Sequence, residues 1–163
     1  MQQIIQIFGR CFWFILKPLV RLYWRFRRPL TVGVRALVRD GEGRVLLVRH
    51  SYIPGWYMPG GGVERGETAR HALRRELDEE AGIMLNDESP RLIGLYANFR
   101  EFKSDHVALY LVEAHQYQRV ARTSFEISEH GFFALDALPD EISPATRARL
   151  TEIAQGLPAP DMW

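Results

Sequence analysis

"GGVERGETARHALRRELDEEAGI", residues 61–83, runs a glycine turn straight into a helical segment crowded with acids. Glycines lack a Cβ, so such a turn takes positive φ easily and lets other groups approach its backbone. From about Glu67 to Ala81 apolar residues recur at helical spacing, and Gly82 stands where a left-handed cap would close the helix. Ala69, Ala72, Leu73 and Leu77 mark the face turned to a core, with Glu76, Glu79 and Glu80 on or beside it. His71, Arg74 and Asp78 point away. Ionised carboxylates facing a core without partners cost on the order of several kcal/mol each, so these need a cation nearby. An oxygen-only set without thiol or imidazole suits a hard ion such as Mg2+ or Mn2+. Solvation, or salt bridges to Arg70, Arg74 and Arg75, would also balance the charge. Carbonyls of the glycine turn can join a metal's ligands, and its amides can meet phosphate oxygens.

Outward from this stretch, the chain alternates short elements. "LTVGVRALVRD" (30–40) and "RVLLVRH" (44–50), separated by "GEG", predict a hairpin. "SYIPGWYMPGGG" (51–62) is a loop, and "RLIGLYANFREFK" (91–103) and "VALYLVEAHQY" (107–117) read as longer strands. A short strand "GFFAL" (131–135) precedes a closing helix at 143–155, with Ser143 as N-cap and Pro144 at the first helical position. The fold class expected is α/β, a mixed β-sheet covered by helices.

The 163 residues suit one domain with a full core, 47% apolar and 25% charged. The single cysteine, Cys11, allows no internal disulfide. The net charge of +1 hides a division. Residues 1–28 carry Arg10, Lys17, Arg21, Arg25, Arg27 and Arg28 and no acid, leaving 15 Lys+Arg against 20 Asp+Glu in the rest. The leader reads as an aromatic-rich amphipathic helix with a cationic stripe, and its longest apolar run, Cys11–Leu16, is too short to span a membrane. The pattern fits a membrane interface, or packing on the body or a second subunit as a homodimer. Two segments are expected, 1–28 and 29–163.

The stretch Gly61–Ile83 resembles the Nudix box: Gly61, Glu67, Arg75-Glu76-Leu77, Glu79-Glu80, Gly82 and Ile83 meet all nine fixed positions without a gap. The resemblance implies a Nudix-type α/β/α sandwich and a hydrolase of a nucleoside diphosphate linked to another moiety. It implies that Glu76, Glu79 and Glu80 hold divalent metal, Mg2+ or Mn2+, with the Gly60 carbonyl as an extra ligand. One glutamate would be the general base, and Gly61, Glu67, Arg75 and Gly82 would be structural. A diphosphate bridge is shielded by its own charge, which fits the metal requirement read from the acids alone.

Outside the box the residues are less specific. Glu126 and Glu129 lie before the last strand, where the fold often offers an extra base or ligand; loop solubility explains them equally. Arg49 suits a bidentate phosphate contact, or is an end-of-strand cation. Tyr52, Trp56 and Tyr57 offer rings for a base, or pack. The five histidines show no metal-ligand spacing. Region 96–102, "YANFREF", has no proline of the ADP-ribose-directed kind, and neither the coenzyme A motif nor a placed dinucleoside-polyphosphate tyrosine is present. The substrate therefore stays open within nucleoside diphosphate derivatives, with no sequence-specific nucleic acid expected. The expected location is the cytoplasm, with peripheral contact at the membrane's inner face as the leader's option. Three other readings compete: a nucleotide sensor on the same fold, which should have lost box acids; a membrane-attached interaction protein built around residues 1–28; and an isomerase of small diphosphates on the same fold, which lacks here the extra metal-ligating histidines and the central cysteine, Cys11 being far upstream.

Overall fold

A computed structural model describes residues 30–86, 89–99 and 104–163. The leader's amphipathic helix, with its membrane or homodimer contact, lies outside the described residues, as does the end of the expected 91–103 strand. The elements are β1 (Thr31–Val38), β2 (Val45–His50), α1 (Ala69–Ala81), β3 (Ile83–Leu85), β4 (Arg91–Ala97), β5 (Asp105–Val112), a 3-10 turn (Ala114–Gln116), β6 (Tyr117–Arg119), β7 (Ile127–Phe133) and α2 (Pro144–Ala154).

β5 lies parallel to β1 on one side and antiparallel to β4 on the other, which makes the sheet mixed. The expected hairpin does not form as a ladder. The turn after β1 is made, with the Asp40 carboxylate accepting from the backbone N–H groups of Glu42 and Arg44 and from Arg44 Nε at 2.7 Å. Beyond a single Arg39–Val45 bridge, however, β2 pairs antiparallel with β7 instead. The reason is that the glycine loop occupies the edge of β1. Gly61 and Pro59 carbonyls accept from Val34 and Ala36, Val63 donates to Val32, and Tyr57 exchanges both backbone bonds with Val48 of β2. The loop stitches the two ladders together and is held from both sides.

Alternation along the strands sorts two cores. Val34, Ala36, Val38, Leu46, Val48, Ala108 and Tyr110 meet Ala72, Leu73, Leu77 and Ala81 of α1. Leu37, Val45, Leu47, Leu109 and Leu111 face the other way, against Trp56, Met58, Tyr96, Ile142 and Leu150 of α2. This is the α/β/α sandwich. Thr68 caps α1 by accepting from His71 N–H at 3.2 Å, and Gly82 closes it at φ 61°. A side chain at Gly82 would also strike the Val120 carbonyl, because Val120 donates to Gly82 O at 2.8 Å. Ser143 caps α2 with Pro144 in its first turn. Among the described residues no helix is long and apolar enough to cross a membrane.

Candidate active site

The stitched loop delivers the Gly60 N–H to the end of α1, where it donates to Glu80 Oε2 at 2.7 Å. Glu80 is 6% exposed, and its other oxygen lies 3.8 Å from His50 Nε2 at the end of β2. Burial pushes the Glu80 carboxyl up to about 7; the negative charges of Glu76 and Glu126 add to this, while Gly60 N–H and Arg35 oppose it. Burial also raises Glu76, helped by Glu79 and opposed by Arg75. Glu79 stands at the exposed rim. Along one helix the three acids thus grade from buried to solvated.

Arg75 fastens the loop to the helix. Its Nε donates to Glu67 Oε1 at 3.2 Å, Nη2 to Glu67 Oε2 and to the Gly62 carbonyl at 3.1 Å each, and Nη1 to Glu76 at 2.7 Å. Glu79 is a looser partner at 3.5 Å. A side chain at Gly61 would overlap the Glu76 carboxylate, so a glycine there is what admits the acid against the loop.

Glu76, Glu79 and Glu80 line one wall of a cavity of about 540 Å3, and the segment Arg122–Glu126 ahead of β7 lines the opposite wall. Glu126 is therefore brought to the three box acids. Glu129 is not among the lining residues: it pairs across the ladder with Arg49, which donates to Glu141 at 2.7 Å and does not line the cavity either. Trp56 is 6% exposed and packs edge-on against Phe133, so its ring belongs to the core. The Gly60 carbonyl, expected as a metal ligand, accepts from the Arg35 guanidinium, while the Gly60 N–H donates to Glu80. Tyr52 and Tyr57 flank the His50 ring, at 5.4 and 5.8 Å between centroids. Tyr57 also lines a second cavity of about 590 Å3, shared with Arg35, Gly61, Asn98, Asp105 and Trp163.

Besides Phe125 of the cavity wall, two residues near the acids are absent from the sequence expectations. Arg35 sits in the middle of β1 and binds the Met58 carbonyl at 3.2 Å as well as that of Gly60. A charge inside an otherwise apolar strand, "VGVRALV", was its available signal. His50 shows no ligand spacing in the sequence. Its side chain is buried against Glu80, with Nδ1 left without a partner, and burial lowers its pKa, Arg35 adding and Glu126 opposing. No sequence spacing could reveal a contact between residues 50 and 80.

A family model of the NUDIX domain matches residues 29–152. The chain belongs to the Nudix hydrolase family. An RNA pyrophosphohydrolase of Dinoroseobacter shibae is 48% identical over 57 residues, 34% of this chain and 36% of that protein. The m7GpppN-mRNA hydrolase NUDT17 of Xenopus laevis is 42% identical over 74 residues, 42% of this chain and 25% of that protein. The matched stretches thus span about a third and a quarter of the two relatives' own lengths. The Nudix fold is shared with the MutT NUDIX hydrolase of Burkholderia pseudomallei, TM-score 0.61 and 29% identity over 77% of this chain and 99% of that one.

Nudix hydrolases generally need divalent metal ions. The donors here fit one in chemistry: five carboxylates line one cavity, Asp78 being taken by Arg122, and two of the others, Glu76 and Glu80, are held above their ordinary pKa by burial and by neighbouring carboxylates. They are not drawn in to ligand distance. Among the described residues no three Asp, Glu, His or Cys side chains form a closed metal cluster, and Arg75 still engages Glu76 and Glu79.

Proposed function

We propose that this Nudix protein is a divalent-metal-dependent hydrolase cleaving the diphosphate linkage of a nucleoside diphosphate derivative. The observation that carries the reading is the meeting of Glu76, Glu79, Glu80 and Glu126 across one cavity beside the glycine turn. Glu76, Glu79 and Glu80 would hold the ion, Mg2+ or Mn2+, which neutralises phosphate charge and acidifies water when bound. Hydrolysis adds water across the bridge: the water oxygen bonds to one phosphorus, the bridging P–O bond breaks, and one proton must be taken up. Glu126 is the residue we assign to that proton. Its carboxylate is exposed on the far wall and makes no hydrogen bond among the described residues, so it is free to accept. Glu80 is committed on one oxygen to the Gly60 N–H, which fixes its orientation toward the cavity. Arg75 and Glu67 hold the turn against α1, and Gly61 leaves the room that Glu76 fills. Tyr57 and Arg35, in the second cavity, face the rest of the substrate. The proposed location is the cytoplasm, where nucleotide substrates of this class would be met.

The test is a panel of nucleoside diphosphate derivatives with Mg2+ or Mn2+, scored for phosphate products. Glu80→Gln should lower kcat by about 10^3 and weaken ion binding, whereas Glu126→Gln should lower kcat by about 10^2–10^3 with ion affinity kept within a few fold. Unchanged turnover in Glu80→Gln would remove the ion-holding assignment.

A further inference from the structure

The wall of the acidic cavity opposite α1 ends in an uncovered aromatic ring. Phe125 is 99% exposed and lines the cavity beside Glu126. A second exposed ring stands on the adjoining loop: Tyr52 is 64% exposed. The two loops are tied together. Ser51 donates its N–H to the Glu126 carbonyl at 2.7 Å and its hydroxyl to the Phe125 carbonyl at 3.2 Å. Tyr52 is in turn seated against the His50 ring, which reaches Glu80. One ring therefore lines a cavity whose walls are otherwise built for charge, a second stands on the loop tied to it, close enough to feel the charges of Glu126, Glu80 and Glu76, and no packing role on the described chain accounts for Phe125. Apolar side chains of this size are usually withdrawn from water, and single exposed ones carry no meaning. A pair fixed on joined loops at the edge of a phosphate-cleaving cavity is a different arrangement, since bases stack on such rings regardless of sequence.

We propose that Phe125 and Tyr52 form a stacking platform for a nucleobase carried on the scissile diphosphate, and that they set which nucleotides the enzyme accepts. The proposal rests on the hydrolase reading above and adds the side of the cavity on which a base lies. The second cavity, across the glycine turn, is then left for the other moiety of the substrate.

The decisive measurement compares the full chain with Phe125→Ala, Tyr52→Ala and Phe125→Trp, on a cleaved nucleotide and on tripolyphosphate, which has the anhydride bonds and no base. Because Phe125 is fully solvated, its truncation leaves the fold alone. Each alanine variant should raise KM for the nucleotide about tenfold with kcat within twofold, Trp should restore it, and tripolyphosphate kinetics should not move. Binding of a nucleoside diphosphate, followed without Mg2+ by titration calorimetry, should weaken about tenfold in Phe125→Ala and in Tyr52→Ala. Unchanged nucleotide KM and binding in both alanine variants overturns the platform. Absence of turnover in the unaltered protein defeats the hydrolase reading instead, and weaker nucleotide binding by Phe125→Ala would still support the platform.

Discussion

Each helix of the sandwich buries one charged side chain against the sheet, and the two are treated in opposite ways. Arg149 of α2 is 5% exposed, but its guanidinium donates to the Met162 carbonyl at 2.5 Å, pairs with Glu152, and lies 4.9 Å from the Tyr96 ring and 5.7 Å from that of Trp163. Only Nε lacks a partner. Glu80 of α1 is 6% exposed, yet has one backbone N–H, a histidine lowered in pKa, and two further carboxylates nearby. A buried charge surrounded by its complement is a clasp. Glu80 has no such clasp among the described residues: Arg35 acts on it without an ion pair, against the charges of Glu76 and Glu126, and on the proposed reading this difference separates the structural face of the sheet from the chemical one.

The comparison breaks if the two residues respond alike. Glu80→Gln should cost about 10^3 in kcat and leave the fold intact, with metal-free protein at pH 8 made more stable by on the order of 2 kcal/mol, since a repelled ion is removed. Arg149→Ala should do the reverse. Leaving Glu152 and the Met162 carbonyl without their cation should lower stability by about 3–5 kcal/mol, read from urea unfolding, with kcat of the folded fraction within a few fold. A destabilised Glu80→Gln or a catalytically dead but stable Arg149→Ala would erase the distinction.

The same contrast has a pH signature. The Glu80 carboxyl titrates at about 7 in the folded protein against 4.5 for an ordinary glutamate, so between those values the folded state holds the extra proton. Metal-free stability from this group is therefore largest below about pH 4.5, falls as pH rises through that window by on the order of 3 kcal/mol, and then levels off. A divalent ion favours the ionised form and should recover the loss. The rise in Tm on adding Mg2+ should be clearly larger at pH 8 than at pH 5.5, and Glu80→Gln should flatten both profiles.

What the sequence disclosed follows the range of the forces involved. The α1 helix, its Gly82 closure and the inward turn of Glu80 are local, set by spacing and a left-handed glycine within one stretch. The Ser143 cap with Pro144 is local too. The hairpin failed because pairing is decided by which edge is free, and the glycine loop 59–63 takes the edge of β1 through contacts more than 20 residues apart in sequence. β3 and β6, three residues each, carry too short a pattern to read. Within the site, the box acids were legible because one helix carries them. Arg35, His50 and Phe125 were not, because their positions beside the acids depend on sheet register and on Ser51 joining two loops.

The smallest effect concerns how the cavity's second wall is anchored. Arg122 grips Asp78 with two parallel bonds, Nε to Oδ1 at 2.8 Å and Nη2 to Oδ2 at 3.0 Å, next to the Val120–Gly82 bond that pins the same segment. Asp78 lies in the last turn of α1, where the helix dipole disfavours an acid, and Arg122 offsets that. Both partners are solvated, at 48% and 34% side-chain exposure, so the pair adds little to stability. Asp78→Asn should lower Tm by only about 1–3 °C, an effect that 1 M NaCl removes. Function is the sharper readout, because the segment beyond Arg122 carries Phe125 and Glu126. Loosening it should raise KM for a nucleotide about two- to threefold, with Arg122→Ala giving the same change and the double variant no more than either alone. Additive effects in that double variant would mean that the two residues act separately, and that the Val120–Gly82 bond alone holds the wall in place.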